Sequence, residues 1–208
     1  MIRPVALALS LAAGPAAAHP HVFVEAAVTV IYDGGAATAI RVDWVYDDFF
    51  SLLLMSDLGL DLDGDMVLES EEVEALSAAV TEWPEDFEGD LWVRADGSAV
   101  GLAPKEAHDM TYAEGIVTES HVRPLARAVE GELTLQVYDP WYFVAYDVTE
   151  VRFEGRDDCA ASFERADLDA ARARVEEMIG KNPMEVGPEE DFPKVGAEFA
   201  DTIRVTCG

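Results

Sequence analysis

Apolar and polar residues alternate along the chain soon after its N-terminal segment. An apolar side chain occupies every second position over residues 22–32, and again over residues 40–46. A period of two predicts β-strands with one buried face, and the Asp33-Gly34-Gly35 sequence between them is typical of a turn. We therefore predict that these two strands form an antiparallel hairpin.

The register of this hairpin follows from its two apolar faces. These faces coincide only when the numbers of paired residues have an even sum, and a three-residue loop makes that sum 68. His21 then lies opposite Asp47, roughly 5 Å away, which is within reach of a shared metal ion. The same register places Glu25 against Asp43, a repulsive pair, so a two-residue slip that brings Glu25 beside Arg41 stays open.

Later parts of the chain alternate between helical and strand-like patterns. Helical spacing of apolar residues indicates two helices near the hairpin and a late amphipathic helix, for which Asp167 is the N-cap and Gly180 the end. The predicted helices are 49–60, 70–83 and 167–179, and the further strands are 91–95, 115–122, 132–138, 141–148 and 202–207.

Together these elements predict the fold class α+β. We expect a mainly antiparallel β-sheet domain with an EF-hand-like helix-loop-helix insertion at 49–83 and a late amphipathic helix. The length of 208 residues suits one domain, and no repeat or linker divides it. Residues 19–208 are therefore expected to form a single α+β domain.

An acidic loop of twelve residues, 61–72, lies between the two predicted helices of the insertion. Calcium takes oxygen ligands from positions 1, 3, 5, 7, 9 and 12 of such a loop. Position 6 is normally glycine, but here it is Met66, which is strained at a positive φ. The alternative is a solvated acidic turn. The predicted calcium ligands are the side chains of Asp61, Asp63, Asp65, Glu69 and Glu72 and the backbone carbonyl of Val67.

The first 18 residues have the pattern of a secretory signal peptide. Arg3 precedes a short apolar stretch, and Ala16-Ala17-Ala18 matches the small-residue cleavage site. Cleavage after Ala18 makes His19 the first residue of the mature chain. We therefore expect an exported, periplasmic protein, with secretion to the medium as the second option.

The composition narrows the range of partners. Asp and Glu number 42 against 14 Lys and Arg, which gives a formal net charge of -28. Such a charge repels phosphate backbones and anionic lipid headgroups, so it excludes nucleic-acid binding and leaves cations as charged partners. The only two cysteines, Cys159 and Cys207, are expected to form a disulfide in an oxidising compartment. The alternative is a thiolate metal ligand.

The histidines are the second candidate for metal chemistry. An N-terminal His19 offers its α-amine and its imidazole to one ion, and His21 adds a second imidazole. Zinc, copper, nickel and cobalt favour such ligands. Because Pro20 has no amide hydrogen, a copper or nickel site built on deprotonated backbone amides is excluded there. Candidates to complete a tetrahedral set are Asp47, His108 and His121, although each of these two histidines is also compatible with an ordinary surface or core position.

Five blocks of the sequence resemble a known family. They are HPHVF at 19–23, WVYDDFFS at 44–51, the acidic loop, VYDPWY at 137–142 and FADTIRVTC at 199–207. In these blocks the chain resembles the DUF1007 family, the ZevA-like periplasmic components of uncharacterised transport systems. The resemblance implies a metal-binding protein linked to zinc supply, paired with an inner-membrane permease resembling nickel/cobalt transporters. The HPH start matches His19 and His21, whereas Met66 replaces the family's usual glycine.

Three functions follow from these observations. The leading hypothesis is a carrier without catalytic turnover, which captures zinc (or copper, nickel or cobalt) at His19 and His21 and supplies the permease. The second is an oxidative enzyme that holds copper between the N-terminal histidine and His108 or His121. The sequence contains no G-x-S-x-G motif and no phosphate-binding glycine loop. The third is a structural or adaptor module stabilised by calcium.

Overall fold

Two five-stranded sheets share one hydrophobic core in the computed structural model, which describes residues 20–81, 83, 87–179 and 193–208. The strands are β1 (Val22–Asp33), β2 (Ala36–Tyr46), β3 (Leu91–Ala95), β4 (Ser98–Val100), β5 (Glu106–Ala113), β6 (Ile116–Val129), β7 (Leu133–Val137), β8 (Val144–Glu154), β9 (Cys159–Glu164) and β10 (Thr202–Cys207). The helices are α1 (Asp48–Leu58), α2 (Ser70–Thr81), α3 (Leu168–Ile179) and α4 (Gly196–Phe199).

The strand order explains how the core forms. The first sheet runs β5-β6-β2-β1-β8 and the second runs β4-β3-β7-β10-β9. Their pairs are antiparallel except for β1 and β8, which run parallel. Alternate residues of the strands meet between the sheets, where Val28, Ile40, Leu135 and Ile203 are completely inaccessible to solvent. The predicted α+β class with mainly antiparallel pairing is therefore confirmed.

The predicted hairpin is present, but its register differs. Val24 pairs with Tyr46, so the paired numbers sum to 70 rather than 68. The turn closes on Asp33 and Ala36, and a bulge near Ile31 absorbs one extra residue. The even sum is confirmed because both apolar faces still point into the core. The predicted value was wrong because it assumed a three-residue loop without a bulge.

Glu25 faces no charged residue of β2 in the observed hairpin register. Glu25 lies opposite Val45, so it is directly opposite neither Asp43 nor Arg41. Arg41 instead pairs with Glu154 at 3.2 Å, and Asp43 lies 3.2 Å from Arg152. Both ion pairs thus join β2 with β8 across the intervening strand β1, which the hairpin by itself cannot show.

The helical insertion and the late helix form where the pattern predicts them. Asp47 caps α1 by accepting the backbone N–H of Phe50 at 2.7 Å. Asp167 caps α3 in the same way, accepting the N–H of Ala170 at 3.0 Å. Of the predicted apolar face of α3, Ala171 is buried but two other members, Leu168 and Met178, are exposed. The predicted stop at Gly180 lies outside the described residues. Within the described part of the chain, no helix has both the length and the apolar character needed to span a membrane.

Several strands escaped the sequence analysis. Strands β4, β5 and β9 were not predicted, and β6 continues seven residues beyond its predicted end at 122. Helices α1 and α2 pack against the β5–β6 edge of the first sheet, where a second, smaller core contains Met55, Leu76, Met110 and Val117. The chain thus has two apolar cores on one face of the first sheet.

The predicted disulfide is present at the C-terminus. Cys159 opens β9 and lies directly opposite Cys207 at the end of β10, and their sulfur atoms are bonded. The bond ties the last strand to its neighbour within the second sheet. Neither cysteine is therefore available as a thiolate metal ligand.

Candidate functional site

The inner face of β6 carries three polar side chains between the two apolar cores. Val117 at one end belongs to the smaller core and Leu125 at the other end belongs to the main core. Between them, Glu119, His121 and Arg123 occupy the alternate positions that point inward, and they are 3%, 0% and 4% exposed. Ionisable groups at such positions cost folding free energy unless they are paired or bind an ion. This stretch is therefore the strongest candidate for a functional site.

The carboxylate of Glu119 is the centre of the cluster. Its Oε2 atom accepts a hydrogen bond from the Tyr46 hydroxyl at 3.1 Å. Its Oε1 atom lies 3.3 Å from Nε2 of His108, on the adjacent strand β5, and 3.3 Å from Nδ1 of His121. The Oε1, Nε2 and Nδ1 atoms of these three residues are buried and have no aligned hydrogen-bond partner among the described residues. Two imidazole nitrogens thus face one carboxylate oxygen, and all three metal-ligating atoms have unmet bonding capacity.

Aromatic rings close the cluster on its other sides. The ring of Trp83 lies edge-on to His121 with centroids 4.8 Å apart, and Trp44 approaches the same imidazole at 4.7 Å. Both nitrogens of His121 lack an aligned partner among the described side chains and backbone groups. The tryptophans therefore exclude water from the imidazole without supplying it a hydrogen bond.

Two basic side chains also lie at the cluster. The Lys105 ammonium is 4.0 Å from Glu119 Oε1 and 4.3 Å from the centroid of the Trp83 ring. Arg123 stacks on the same ring at 5.2 Å, and its guanidinium donates to the carbonyls of Ala103 and Glu88 at 3.0 and 2.5 Å. The arginine thus anchors two loops, whereas the lysine faces the carboxylate.

These charges shift the pKa values of their neighbours. Burial acts to raise the pKa of Glu119, but the neighbouring His121, Lys105 and His108 side chains together lower it below its usual value. Burial and the Lys105 charge lower the pKa of His108. Burial also lowers the pKa of Lys105, despite the attraction of Glu119. The carboxylate is thus ionised and the His108 imidazole neutral at pH 7, the protonation states in which both bind metal ions.

The donor set of the cluster suits a transition metal. Two imidazoles and a carboxylate are common ligands of zinc, and two ligands of a tetrahedral zinc ion stand about 3.3 Å apart for bonds of ~2.0–2.1 Å. Each imidazole has this separation from Glu119 Oε1. Among the described residues, only Asp61, Asp63 and Asp65 have three ligand atoms all within 4.8 Å of one another. The imidazoles of His108 and His121 are therefore farther from each other than from the carboxylate, and must move together to share one ion.

The structure separates His21 from this cluster. His19 lies outside the described residues, and His21 is exposed just before β1, with its ring 4.7 Å from that of Phe143. His121 lies level with Val28 across β2. His21 is therefore seven residues away along the strand direction, which is about 23 Å at ~3.3 Å per residue. The expectation that His21 and His121 complete one tetrahedral set is wrong.

Asp47 has a structural role in this conformation. Its Oδ1 atom caps α1, and its Oδ2 atom accepts the backbone N–H of Phe23 at 2.7 Å. The predicted position of His21 opposite Asp47 is wrong, because Asp47 is aligned with Phe23 in the observed register. The copper brace predicted between the N-terminal His19 and His108 or His121 depends on a residue outside the described part of the chain, so it stays a prediction.

The acidic loop adopts much of the predicted calcium-binding arrangement. The three aspartates at positions 1, 3 and 5 converge, and Met66 has a φ of 63° as position 6 requires. Glu72 folds back over the loop, where its carboxylate accepts the backbone N–H groups of Asp61 and Glu69 at 2.9 and 3.1 Å. Val67 is exposed within the same loop. Five of the six predicted residues lie in the loop between α1 and α2, and the sixth, Glu72, lies in the first turn of α2; the five are Asp61, Asp63, Asp65, Val67 and Glu69.

Glu119, Lys105, Tyr46 and Trp83 were missed as site residues. The sequence contains one pattern that could have identified Glu119. Every second position from 117 to 125 would share one face of a strand, and Glu119 lies in this set between Val117 and Leu125. This pattern is ambiguous, since polar residues at period two normally point to solvent. Only the apolar residues at both ends of the strand indicate that the polar ones point inward.

Comparison with known proteins identifies a family but no characterised relative. The model of the family described as "Protein of unknown function (DUF1007)" matches residues 5–207, nearly the whole chain. No curated protein matches the sequence.

Proposed function

Since the chain belongs to the DUF1007 family, whose function is unknown, we propose that it is an exported carrier of a divalent transition metal. Zinc is the first candidate, and copper, nickel or cobalt are alternatives with the same ligand chemistry. The carrier holds the ion between His108, Glu119 and His121 and supplies it to an inner-membrane permease. Its role is binding and delivery in the periplasm, without catalytic turnover.

One observation carries this proposal: two buried imidazole nitrogens approach the same buried carboxylate oxygen, and the three atoms lack aligned hydrogen-bond partners among the described residues. Glu119 Oε1, His108 Nε2 and His121 Nδ1 are each withdrawn from water, and none has an aligned partner among the described residues. Each such atom costs about 1–3 kcal/mol of folding free energy. A metal ion bound between them would offset that cost with coordinate bonds. A purely structural cluster gains nothing from leaving these atoms unpaired.

The N-terminal histidines are proposed as a separate, first capture point. His21 is exposed beside Phe143, and cleavage before His19 would add an α-amine at the same place. The net charge of -28 attracts divalent cations toward the surface, although salt screens this attraction beyond about 10 Å. The proposed path therefore runs from an exposed terminal site to the buried centre.

Zinc titration of protein exported with its own signal tests the proposal. We expect the wild type to bind zinc, and Glu119→Gln to weaken the buried site at least about tenfold, because a neutral amide oxygen replaces a carboxylate ligand. His108→Ala should act likewise. Circular dichroism and thermal unfolding establish that each variant is folded. His21→Ala tests the terminal capture point separately, since it removes an exposed imidazole there and should leave zinc binding at the buried centre unchanged.

Two results would contradict the proposed buried centre. The first is a folded Glu119→Gln protein with unchanged zinc affinity. The second is zinc loss in His21→Ala alone, which would place the ion at the terminus. A variant with one extra residue before His19 then distinguishes a terminal site that needs the α-amine from one that does not.

A calcium-stabilised adaptor is the second candidate function. It is favoured by the convergence of Asp61, Asp63 and Asp65 and by the positive φ of Met66. Under this alternative, calcium raises the unfolding temperature and Asp61→Asn abolishes the increase, while zinc binds nowhere with useful affinity. The two candidates are compatible if calcium braces the insertion and zinc is the cargo, in which case both titrations respond.

A further inference from the structure

We propose that the Lys105 ammonium is a tethered competitor for the metal position, which an incoming ion must displace from Glu119. This inference rests on the proposed function, because it concerns the same buried centre. It adds a device that lowers the affinity of the centre and favours release of the ion to a partner.

The Lys105 ammonium lies beside the carboxylate oxygen that would bind the metal ion. It is 4.0 Å from Glu119 Oε1, the same oxygen that both imidazoles approach at 3.3 Å. The side chain is only 10% exposed. A buried ammonium beside a buried carboxylate neutralises it, so the centre contains a counter-ion that belongs to the chain itself.

A metal ion and this ammonium cannot share the carboxylate favourably. A divalent ion bound to Glu119 Oε1 would lie a few ångströms from the Lys105 charge in a site screened from water by Trp83 and Trp44. Like charges repel more strongly there than in bulk water, because the local dielectric is low. Binding of the ion therefore requires the ammonium to leave.

The chain around Lys105 permits such a movement. Glu119 and His121 lie on β6, which pairs with β2 and β5 on its two sides, and His108 lies in a short bulge of β5 between the paired residues Glu106 and Asp109. Lys105 instead follows Pro104 in the connection between β4 and β5. Its four-carbon stem is flexible, and the ring of Trp83 at 4.3 Å offers the ammonium a face along which it can withdraw.

The same arrangement links binding to release. While Lys105 stays close, it competes for Glu119 whenever the metal bond to the carboxylate opens. A carrier that must transfer its ion benefits from such competition, because tight binding alone would retain the ion. Removal of the ammonium is therefore expected to make binding tighter and dissociation slower.

Lys105→Met tests this inference, because methionine keeps much of the length of the side chain and removes the charge. We expect zinc affinity, measured by competition with a chromogenic chelator, to increase about tenfold or more, since an interior charge repulsion is relieved. The dissociation rate should fall. Lys105→Arg keeps the positive charge and should remain close to the wild type.

Lys194→Met is the matched control. Lys194 also places its ammonium over a tryptophan ring, 4.5 Å from the centroid of Trp141, but it is exposed and lies on the segment that leads to α4. This variant changes the net charge of the protein by the same amount as Lys105→Met. If zinc affinity increases over the wild type by the same factor in both variants, the effect comes from the overall charge and the inference is overturned.

The outcomes separate this inference from the proposed function. If the wild type binds zinc through Glu119 and Lys105→Met binds it equally or more weakly, the competitor role is overturned and the carrier stands. If the wild type binds no zinc at the centre and Lys105→Met does, the lysine blocks the site as inferred. If neither protein binds zinc, both proposals are overturned.

Discussion

The Tyr46 hydroxyl donates a hydrogen bond of 3.1 Å to Oε2 of Glu119, the carboxylate oxygen that does not face the imidazoles. The bond connects β2 with β6 across the inner face of the first sheet. Burial and the charge of Glu119 raise the pKa of Tyr46 well above its usual value, so the hydroxyl remains a donor. Tyr46 therefore orients the carboxylate and leaves the other oxygen for a cation.

Tyr46→Phe should loosen this centre. The change removes the donor to a buried carboxylate, so we expect the free energy of unfolding to fall by about 1–3 kcal/mol. Zinc affinity should fall as well, since outer contacts that orient a ligand affect metal binding by about 10- to 100-fold. Tyr142→Phe, in a ring stacked on Phe199 away from the centre, is the control. A Tyr46→Phe protein with wild-type stability and affinity would show that this bond orients nothing.

Asp90 should make the fold less stable as the pH rises toward neutrality. Burial, together with the charge of Asp139, raises the pKa of Asp90 to about 7, although the hydrogen bond from Tyr146 acts to lower it. The unfolded chain ionises near pH 4, so between about pH 4 and pH 7 it releases a proton that the folded protein keeps. Stability is therefore present below pH 4 and declines through this window, by about 4 kcal/mol for a shift of roughly three units.

Asp90→Asn tests this pH dependence. Asparagine cannot ionise and tolerates the positive φ of 50° at this position, so the stability of the variant should decline less between pH 4 and pH 7. Chemical denaturation at several pH values measures the difference. Asp96→Asn, at an exposed position with a φ of 49°, should keep the wild-type slope. An unchanged slope in Asp90→Asn would mean that Asp90 is ionised in the folded protein throughout this window.

Met66→Gly should stabilise the acidic loop and strengthen calcium binding. Methionine at a φ of 63° carries a strain of about 1–2 kcal/mol, and glycine removes it at an entropic cost of about 0.5–1 kcal/mol. The side chain is half exposed, so little apolar burial is lost. We expect a net gain of up to about 1 kcal/mol in thermal unfolding and a lower calcium dissociation constant.

Leu62→Gly is the control for the loop prediction. Leu62 is 86% exposed and does not have a positive φ, so glycine there only adds freedom to the unfolded chain. This variant should be slightly less stable and bind calcium no better. If both glycine variants behave alike, backbone strain at Met66 does not limit the loop.

Loss of the disulfide should destabilise the second sheet. Cys159 and Cys207 are 48 positions apart, and closing a loop of that length in the unfolded chain is worth at most about 4 kcal/mol. The double variant Cys159→Ser/Cys207→Ser should lose a large part of this in denaturant unfolding. A reducing agent should destabilise the wild type but leave the variant unchanged. Equal stability of the two proteins under oxidising conditions would contradict the prediction.

Local periodicity determined much of the fold. The strands β1 and β2, the helices α1 and α2 and the cap at Asp167 follow from residues that are close together in the chain. The acidic loop could also be predicted from local sequence, because its ligand spacing and its strained Met66 are properties of twelve consecutive residues. The pairing of the disulfide could be predicted without a structure, since the chain has only two cysteines.

Tertiary structure decided where the histidines lie. A two-residue turn and a bulge near Ile31 together raise the sum of paired residue numbers from the predicted 68 to 70, which removes His21 from Asp47. The buried centre depends on two separate segments, because Lys105 and His108 meet Glu119 only when β5 and β6 pair. A period of two shows only that the side chains on one face of a strand differ in polarity from those on the other face. Which set points inward depends on the surfaces that cover it, and the two apolar cores turn Glu119 and His121 toward the interior.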